Sequence, residues 1–362
     1  MEKMRIQEDE ILLFTLRGLY SEYGYSLFRM SKFETYELYA GNRDFLVSDR
    51  IITFNDTNGE LLALKPDVTL SIVKNAAFQP GYKQKLYYQE NVYRPSGSSR
   101  HFREILQCGL ECIGDLDCYD EFEVLTLAEK SLTMISGNSV LSFSHLGILK
   151  DLVETLGAEE TQQSELVGLI AARNTHDLKE LFIRCGWSRE PFEDVRELLS
   201  LSCGAAELPE KLKGIPWISK GVLQELREIG HLCREEESSA RFDFSVSNDL
   251  HYYNGLVFQG FVRGISEKIL SGGQYDSLLR RMNRKGSAIG FAVYFGLLEQ
   301  LRCPENRYDA DVLLVYDEKT PLSMVRREMQ AIRAEGLSVS AQRSEAGSYR
   351  EIRDIRGGAK HA

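Results

Sequence analysis

One stretch constrains the fold of this chain more than any other: Leu86 to Gly114, LYYQENVYRPSGSSRHFREILQCGLECIG. Leu86–Tyr93 is rich in β-formers and Arg103–Ile113 alternates strictly. The run Pro95-Ser96-Gly97-Ser98-Ser99 between them consists of turn formers, so the stretch predicts a long antiparallel hairpin. Side chains two apart on a strand share a face. Arg103, Ile105, Gln107, Gly109 and Glu111 therefore point one way, and Leu106, Cys108, Leu110 and Cys112 the other. The second set is apolar and small, fit for a core. The first carries Arg, Gln and Glu in register, with a glycine that leaves room above the sheet. Such a row suits the floor of a site for a small, charged ligand, and it equally suits a wet face of an antiparallel sheet.

The length of 362 residues accommodates two domains, or one large domain with an insertion. Hydrophobic residues make up 43% and charged residues 27%, an ordinary globular balance. The net charge of −10 argues against a nucleic-acid partner, because grip on a phosphate backbone needs a basic face. The nearest thing to one is the short cluster Arg280-Arg281 with Arg284-Lys285. The seven cysteines form no CxxC pair and no metal-ligand spacing, so no metal and no cofactor is expected. An odd cysteine count, a charged start (MEKMRIQEDE) and the lack of a long apolar run predict a cytoplasmic protein away from membranes.

Taken in order, Gln7–Tyr23 reads as an amphipathic helix with Leu12, Leu16, Leu19, Tyr20 and Tyr23 on one stripe, ended by Gly24. A short strand at Ser26–Met30 leads into a polar, aromatic loop, FETYELYAGNRDF. A second hairpin spans Arg50–Leu64 around Asp56-Thr57-Asn58-Gly59. Lys65-Pro66-Asp67 opens a helix to about Ala77, with Asp67 as its cap. A helix at Asp120–Ile135 and a strand at Val140–His145 follow. Residues 147–239 are helical and charged and read as an inserted subdomain. Strand character returns at Arg241–Val246 and Tyr252–Val262, before a Ser-Gly-Gly-Gln turn (271–274) and a helix from Tyr275. GSAIGFAVYFGLLEQL (286–301) reads as a glycine-bearing approach into an apolar helix. Asp311–Tyr316, Pro321–Glu335 and Leu337–Ala341 form a β-α-β unit, and the polar tail from Ser344 is expected to be loosely held. The fold class is α+β: a mostly antiparallel sheet flanked by helices over 1–303, with the insertion, and a short α/β remnant plus flexible tail over 304–362.

Several segments together resemble histidyl-tRNA synthetase, a class II aminoacyl-tRNA synthetase. LKPDVT (64–69) is similar to that family's L-R-P-E-G-T segment, and the long hairpin resembles its motif 2. DLHYYNGLVF (249–258) resembles G-L-D-Y-Y-x-x-T-V-F, SGGQYDSLL resembles G-G-R-Y-D-G-L, and AIGFAVYFGLLEQL resembles motif 3. The resemblance covers roughly residues 5–300 in the family's order. It implies a class II synthetase-like fold and a histidine pocket. Asp67, with Thr69 beside it, falls where an acid meets the ligand's α-amino group. Gln107 and Glu111 fall where the pocket contacts the amino acid. Tyr252 and Tyr253 fall where a tyrosine pair faces the imidazole. Arg94, the first arginine of motif 2, and Arg103 are candidate anion or ligand contacts.

The departures carry a further implication. Adenylation builds charge on phosphorus that fixed cations must stabilise. The family's arginine before G-L-D-Y-Y is Asn248 here, its motif 3 Glu-Arg falls on Gly296 and Leu297, and the acid after the motif 2 arginine is Ser96. Losing two such cations predicts that no amino acid is activated and that the chain is not an enzyme. A kept pocket with lost ATP machinery resembles the regulatory subunits of ATP phosphoribosyltransferase. For that family the resemblance implies a role in the first step of histidine biosynthesis and in feedback inhibition by L-histidine. The implied partner is a short-form catalytic subunit, with the chain a homodimer within a hetero-octamer. A diverged histidyl-tRNA synthetase, or another synthetase paralogue, is the alternative.

Overall fold

The computed structural model describes residues 8–46, 48, 50–77, 79–95, 101–246, 252–298 and 308–358. Glu8–Leu301 forms one compact unit, and the residues from Arg302 onward belong to a second. The first opens with α1 (Glu8–Glu22), β1 (Ser26–Leu27), β2 (Phe33–Thr35), α2 (Tyr36–Ala40), β3 (Thr53–Asn55), β4 (Leu61–Leu64) and α3 (Thr69–Asn75). The long strands β5 (Lys83–Pro95) and β6 (Phe102–Gly114) follow, then α4 (Cys118–Ile135) and β7 (Ser139–His145). Six helices come next: α5 (Leu146–Leu156), α6 (Glu160–Ala171), α7 (Thr175–Cys185), α8 (Arg189–Ser200), α9 (Leu208–Leu212) and α10 (Lys220–Glu235). The unit closes with β8 (Arg241–Phe242), β9 (Leu256–Val262), β10 (Leu270–Gln274), α11 (Asp276–Arg281), β11 (Ser287–Tyr294) and α12 (Phe295–Leu298).

Eight of these strands form one sheet in the order β1-β5-β6-β11-β10-β9-β7-β8, antiparallel except for its two outermost pairs. The hairpin is its centre. β5 and β6 pair continuously from Lys83↔Gly114 to Pro95↔Phe102, while the turn residues 96–100 lie outside the described residues. Strict alternation on β6 then produces two cores. Cys108, Leu110 and Cys112 join Tyr20, Val124, Leu127 and the apolar faces of the inserted helices on one side. Ile113 joins Leu86, Tyr88 and Val92 of β5 with Val68, Leu70 and Ile72 on the other. α4 starts where it does because the Asp117 carboxylate accepts from Tyr119 N and Asp120 N while Asp120 accepts from Asp117 N, a closed capping box.

Several local expectations are corrected. The segment 33–45 is no loop: it supplies β2, α2 and a 3₁₀ turn at Arg43–Phe45, because Phe33–Thr35 pairs with Leu62–Leu64 and Tyr39 is buried. Leu13, rather than Leu12, is buried on α1. Ser-Gly-Gly-Gln is strand β10, not a turn. Its glycines serve close packing, since a Cβ on Gly272 would sit 2.4 Å from Gly290 O. Residues 286–294 are likewise mostly strand, with only four described helical residues after them. Strand β8 is two residues long, and Tyr252 and Tyr253 precede β9 instead of belonging to it.

The second unit contains β12 (Ala310–Val315), α13 (Leu322–Ala334), β13 (Val339–Gln342) and β14 (Tyr349–Asp354). All three strands are parallel, in the order β13-β12-β14. The loose tail is therefore also corrected. Tyr349–Asp354 pairs along β12, and Ile355 is buried with Val312, Leu314, Val325 and Ile332. Its polar sequence fits an edge strand, whose side chains stay largely in water. Among the described residues no helix is long and apolar enough to cross a membrane, and no cluster of His, Cys, Asp or Glu is arranged to hold a metal ion.

Candidate functional site

The polar face of β6 meets the start of α3 and the loops flanking β9 and β10 around one carboxylate, Glu111. It is 2% exposed. Thr69 Oγ1, the first residue of α3, donates to Glu111 Oε1 at 2.8 Å, and Tyr275 OH, just before α11, donates to Glu111 Oε2 at 2.6 Å. The room for this carboxylate is made by Gly290 on β11, its register partner: a Cβ there would lie 1.8 Å from Glu111 Oε2. Burial pushes the Glu111 carboxyl up to about 8 although both hydroxyls pull it down, and the neighbouring Asp67 pushes it further.

Asp67 stands in the turn leading into α3. Its Oδ1 accepts the Leu70 N–H at 2.9 Å, the cap that starts the helix. Its Oδ2 faces Arg94 at the end of β5, whose Nη2 lies 3.4 Å away. Arg94 Nε donates to Pro66 O at 2.5 Å and ties the strand end to the same turn. Burial raises the Asp67 carboxyl above its ordinary value, and Arg94 and the Leu70 and Thr69 amides lower it. One side chain thus caps the helix with Oδ1 and meets a guanidinium with Oδ2.

The tyrosines complete the wall. The Tyr252 and Tyr253 rings are 4.6 Å apart at 69°, and Tyr252 stands 5.9 Å from Tyr275 and 5.8 Å from Phe45. Tyr252 is anchored through its own carbonyl, which accepts from Ser277 Oγ at 2.9 Å. Tyr253 lies against Gly273, where a Cβ would come within 2.8 Å of its ring. Tyr88 OH occupies the space above Gly109 in the same way, at 2.7 Å from a hypothetical Cβ. Burial beside Glu111 raises the hydroxyls of Tyr88, Tyr252 and Tyr275 well above the usual tyrosine value, with Asp67 adding to it at Tyr88 and Tyr252, so they remain hydrogen-bond donors.

The structure thus brings Asp67, Thr69, Glu111, Tyr252 and Tyr253 together, with Arg94 at their edge. Gln107 is buried on the same face, across from Glu90 on β5 and Tyr294 on β11. Arg103 is exposed near the outer end of the hairpin, opposite Arg94 in register. Asn248 and Ser96 lie outside the described residues. Leu297 on α12 packs against the first core, and Gly296 is exposed. Sequence reasoning passed over Tyr275, Tyr88, Gly290 and the buried pair Lys65–Glu90. Tyr275 sits inside the S-G-G-Q-Y-D segment, and Lys65 inside L-K-P-D, so motif membership was the available signal.

Chemically, the cluster offers one carboxylate oxygen to a cation, several neutral hydroxyls to a polar ring, and a guanidinium to an anion. The histidyl-tRNA synthetase family model matches residues 2–298. An ATP phosphoribosyltransferase regulatory subunit from Carboxydothermus hydrogenoformans is 30% identical over 266 residues, covering 72% of this chain and 82% of that protein. The chain belongs to the histidyl-tRNA synthetase family, which includes the ATP phosphoribosyltransferase regulatory subunits. Histidine–tRNA ligase from Methanocaldococcus jannaschii is 26% identical over 337 residues, covering 91% of this chain and 79% of the ligase. A solved structure from Bacillus halodurans, described as an ATP phosphoribosyltransferase regulatory subunit/histidyl-tRNA synthetase, superposes with a TM-score of 0.75 at 23% identity. It covers 99% of this chain and 97% of that one. The fold is thereby that of a class II synthetase.

Proposed function

We propose that this member of the histidyl-tRNA synthetase family is a non-catalytic regulatory subunit of ATP phosphoribosyltransferase that binds L-histidine around Glu111. The observation that carries the reading is Leu297. Where the family's motif 3 places a phosphate-holding arginine, this chain has an apolar side chain packed against its core. No small motion turns that position into a cation site. The amino-acid side of the pocket is retained at the same time: Asp67 for the ammonium, Thr69, Gln107 and Glu111 beneath the ligand, and Tyr252 and Tyr253 against the imidazole.

The complex would join this chain to a short-form catalytic subunit in the cytoplasm and transmit histidine binding to it as feedback inhibition. That requires different histidine affinities in the active and inhibited assemblies. A homodimer within a hetero-octamer is consistent with α1, which leaves Ile11 51% and Phe14 60% exposed on its outer side. Calorimetry with L-histidine tests the pocket: binding is expected, weakened at least about tenfold in Asp67→Ala and Glu111→Ala. Absence of binding to the wild type overturns it. The likeness to histidine–tRNA ligases keeps a second reading in view, a diverged synthetase. Histidine-dependent ATP–pyrophosphate exchange by the folded chain would establish that reading and remove the first.

A further inference from the structure

The contact between Arg94 and Asp67 sets a condition on any ligand that enters this site. Asp67 has two carboxylate oxygens, and Oδ1 is committed to the Leu70 N–H at the start of α3. Oδ2 alone can meet a cation, and it already faces Arg94 Nη2. That contact is a single one at 3.4 Å, longer than the 2.7–2.9 Å of a strong charge-assisted bond. The Nε of the same guanidinium is held by Pro66 O at 2.5 Å, so the arginine stays at the site and its planar group re-aims its outer N–H donors only by swinging as one rigid unit about that bond. Both partners are close to buried, with side chains 12% and 13% exposed, so neither is well solvated if its counter-charge leaves.

Glu111 gives no alternative berth for a cation. Both its oxygens are occupied by the Thr69 and Tyr275 hydroxyls.

We propose, building on the histidine-pocket reading above, that Arg94 is a stand-in for the ligand's ammonium, and that binding proceeds by partner exchange. The incoming α-ammonium takes Asp67 Oδ2, and the displaced guanidinium takes the α-carboxylate of the same ligand. One internal ion pair becomes two ion pairs to the ligand, and no charge is left alone. An amine without a carboxylate displaces Arg94 and strands it. The exchange therefore makes Arg94 a specificity residue that selects a zwitterionic amino acid over the corresponding amine, by the cost of an unpaired, nearly buried cation.

Titration of the full chain with L-histidine and with histamine, which keeps the imidazole and the ammonium and lacks the carboxylate, tests this. The wild type is expected to prefer histidine by more than about tenfold. In Arg94→Ala the two ligands should move in opposite directions, histidine weaker by roughly tenfold and histamine tighter by several-fold. Arg94→Gln, which keeps most of the side-chain volume, should show the same pair of signs and guards against a misfolded alanine variant. A change in the same direction for both ligands, or histamine binding that stays undetectable in every variant, overturns the exchange. Loss of histidine binding in the wild type is a different result, which removes the pocket itself.

Discussion

The two faces of β6 are made by alternate residues of one strand and behave as different materials. On one, Cys108, Leu110 and Cys112 are sealed against α4 and its neighbours, and burial pushes both thiols up to about 12, so they are inert packing groups. On the other, Gln107 and Glu111 are as deeply buried, at 3% and 2% exposed, yet polar. Burial alone thus does not separate core from site. What separates them is how the buried groups are satisfied. The apolar face is complete within itself, whereas the polar face is held by two hydroxyl donors on one carboxylate and by a single, long ion-pair contact beside it.

Three substitutions sharpen that contrast. The largest effect is expected on the apolar face, where Leu110→Ala should cost about 2–5 kcal/mol of stability in chemical denaturation. If it also abolished histidine binding while the variant remained folded, the two faces would not be independent. Glu111→Gln should do the reverse, weakening histidine binding by about tenfold with no comparable loss of stability. The same variant has a signature in pH. Because the folded Glu111 carboxyl is held up at about 8, it keeps its proton where the unfolded one has lost it. The stability it contributes is full below the ordinary glutamate range and is lost as pH rises through about 8, so wild-type stability should decline relative to Glu111→Gln over that window. Parallel pH profiles of the two would contradict the buried, protonated carboxyl. Smallest of all, Arg103→Ala at the exposed outer end of the hairpin should change stability by less than about 0.5 kcal/mol and histidine affinity by no more than about twofold.

Much of this organisation is legible in the residues. Alternation from Arg103 to Ile113 shows both faces of β6, since a period of two has one geometric reading. Asp67 is legible as a cap, and its Oδ1 takes that role at Leu70 N while its Oδ2 faces Arg94. What escaped has a common cause. Gly272 and Gly273 have the composition of a turn, but they are small because Gly290 O, Phe258 and Tyr253 crowd them, a fact of neighbours distant in sequence. Tyr349–Asp354 reads as solvated chain because an edge strand of a small parallel sheet has little surface to bury. Tyr275 was passed over because its role depends on Glu111, 164 residues away.

That separation also governs how the site comes into being during synthesis. β6 cannot meet β11 until residues 287–294 have emerged, after the eight described helices α4 to α11 have been made. Neither the Gly290 recess nor the Tyr275 hydroxyl exists for Glu111 before then. The nascent chain must keep a long strand with an unpaired edge while the helices fold beside it, the stage at which edge-to-edge association competes with closure. The closing of the sheet therefore rests on pairings far apart in sequence, and the pocket cannot be complete before β11 is in place.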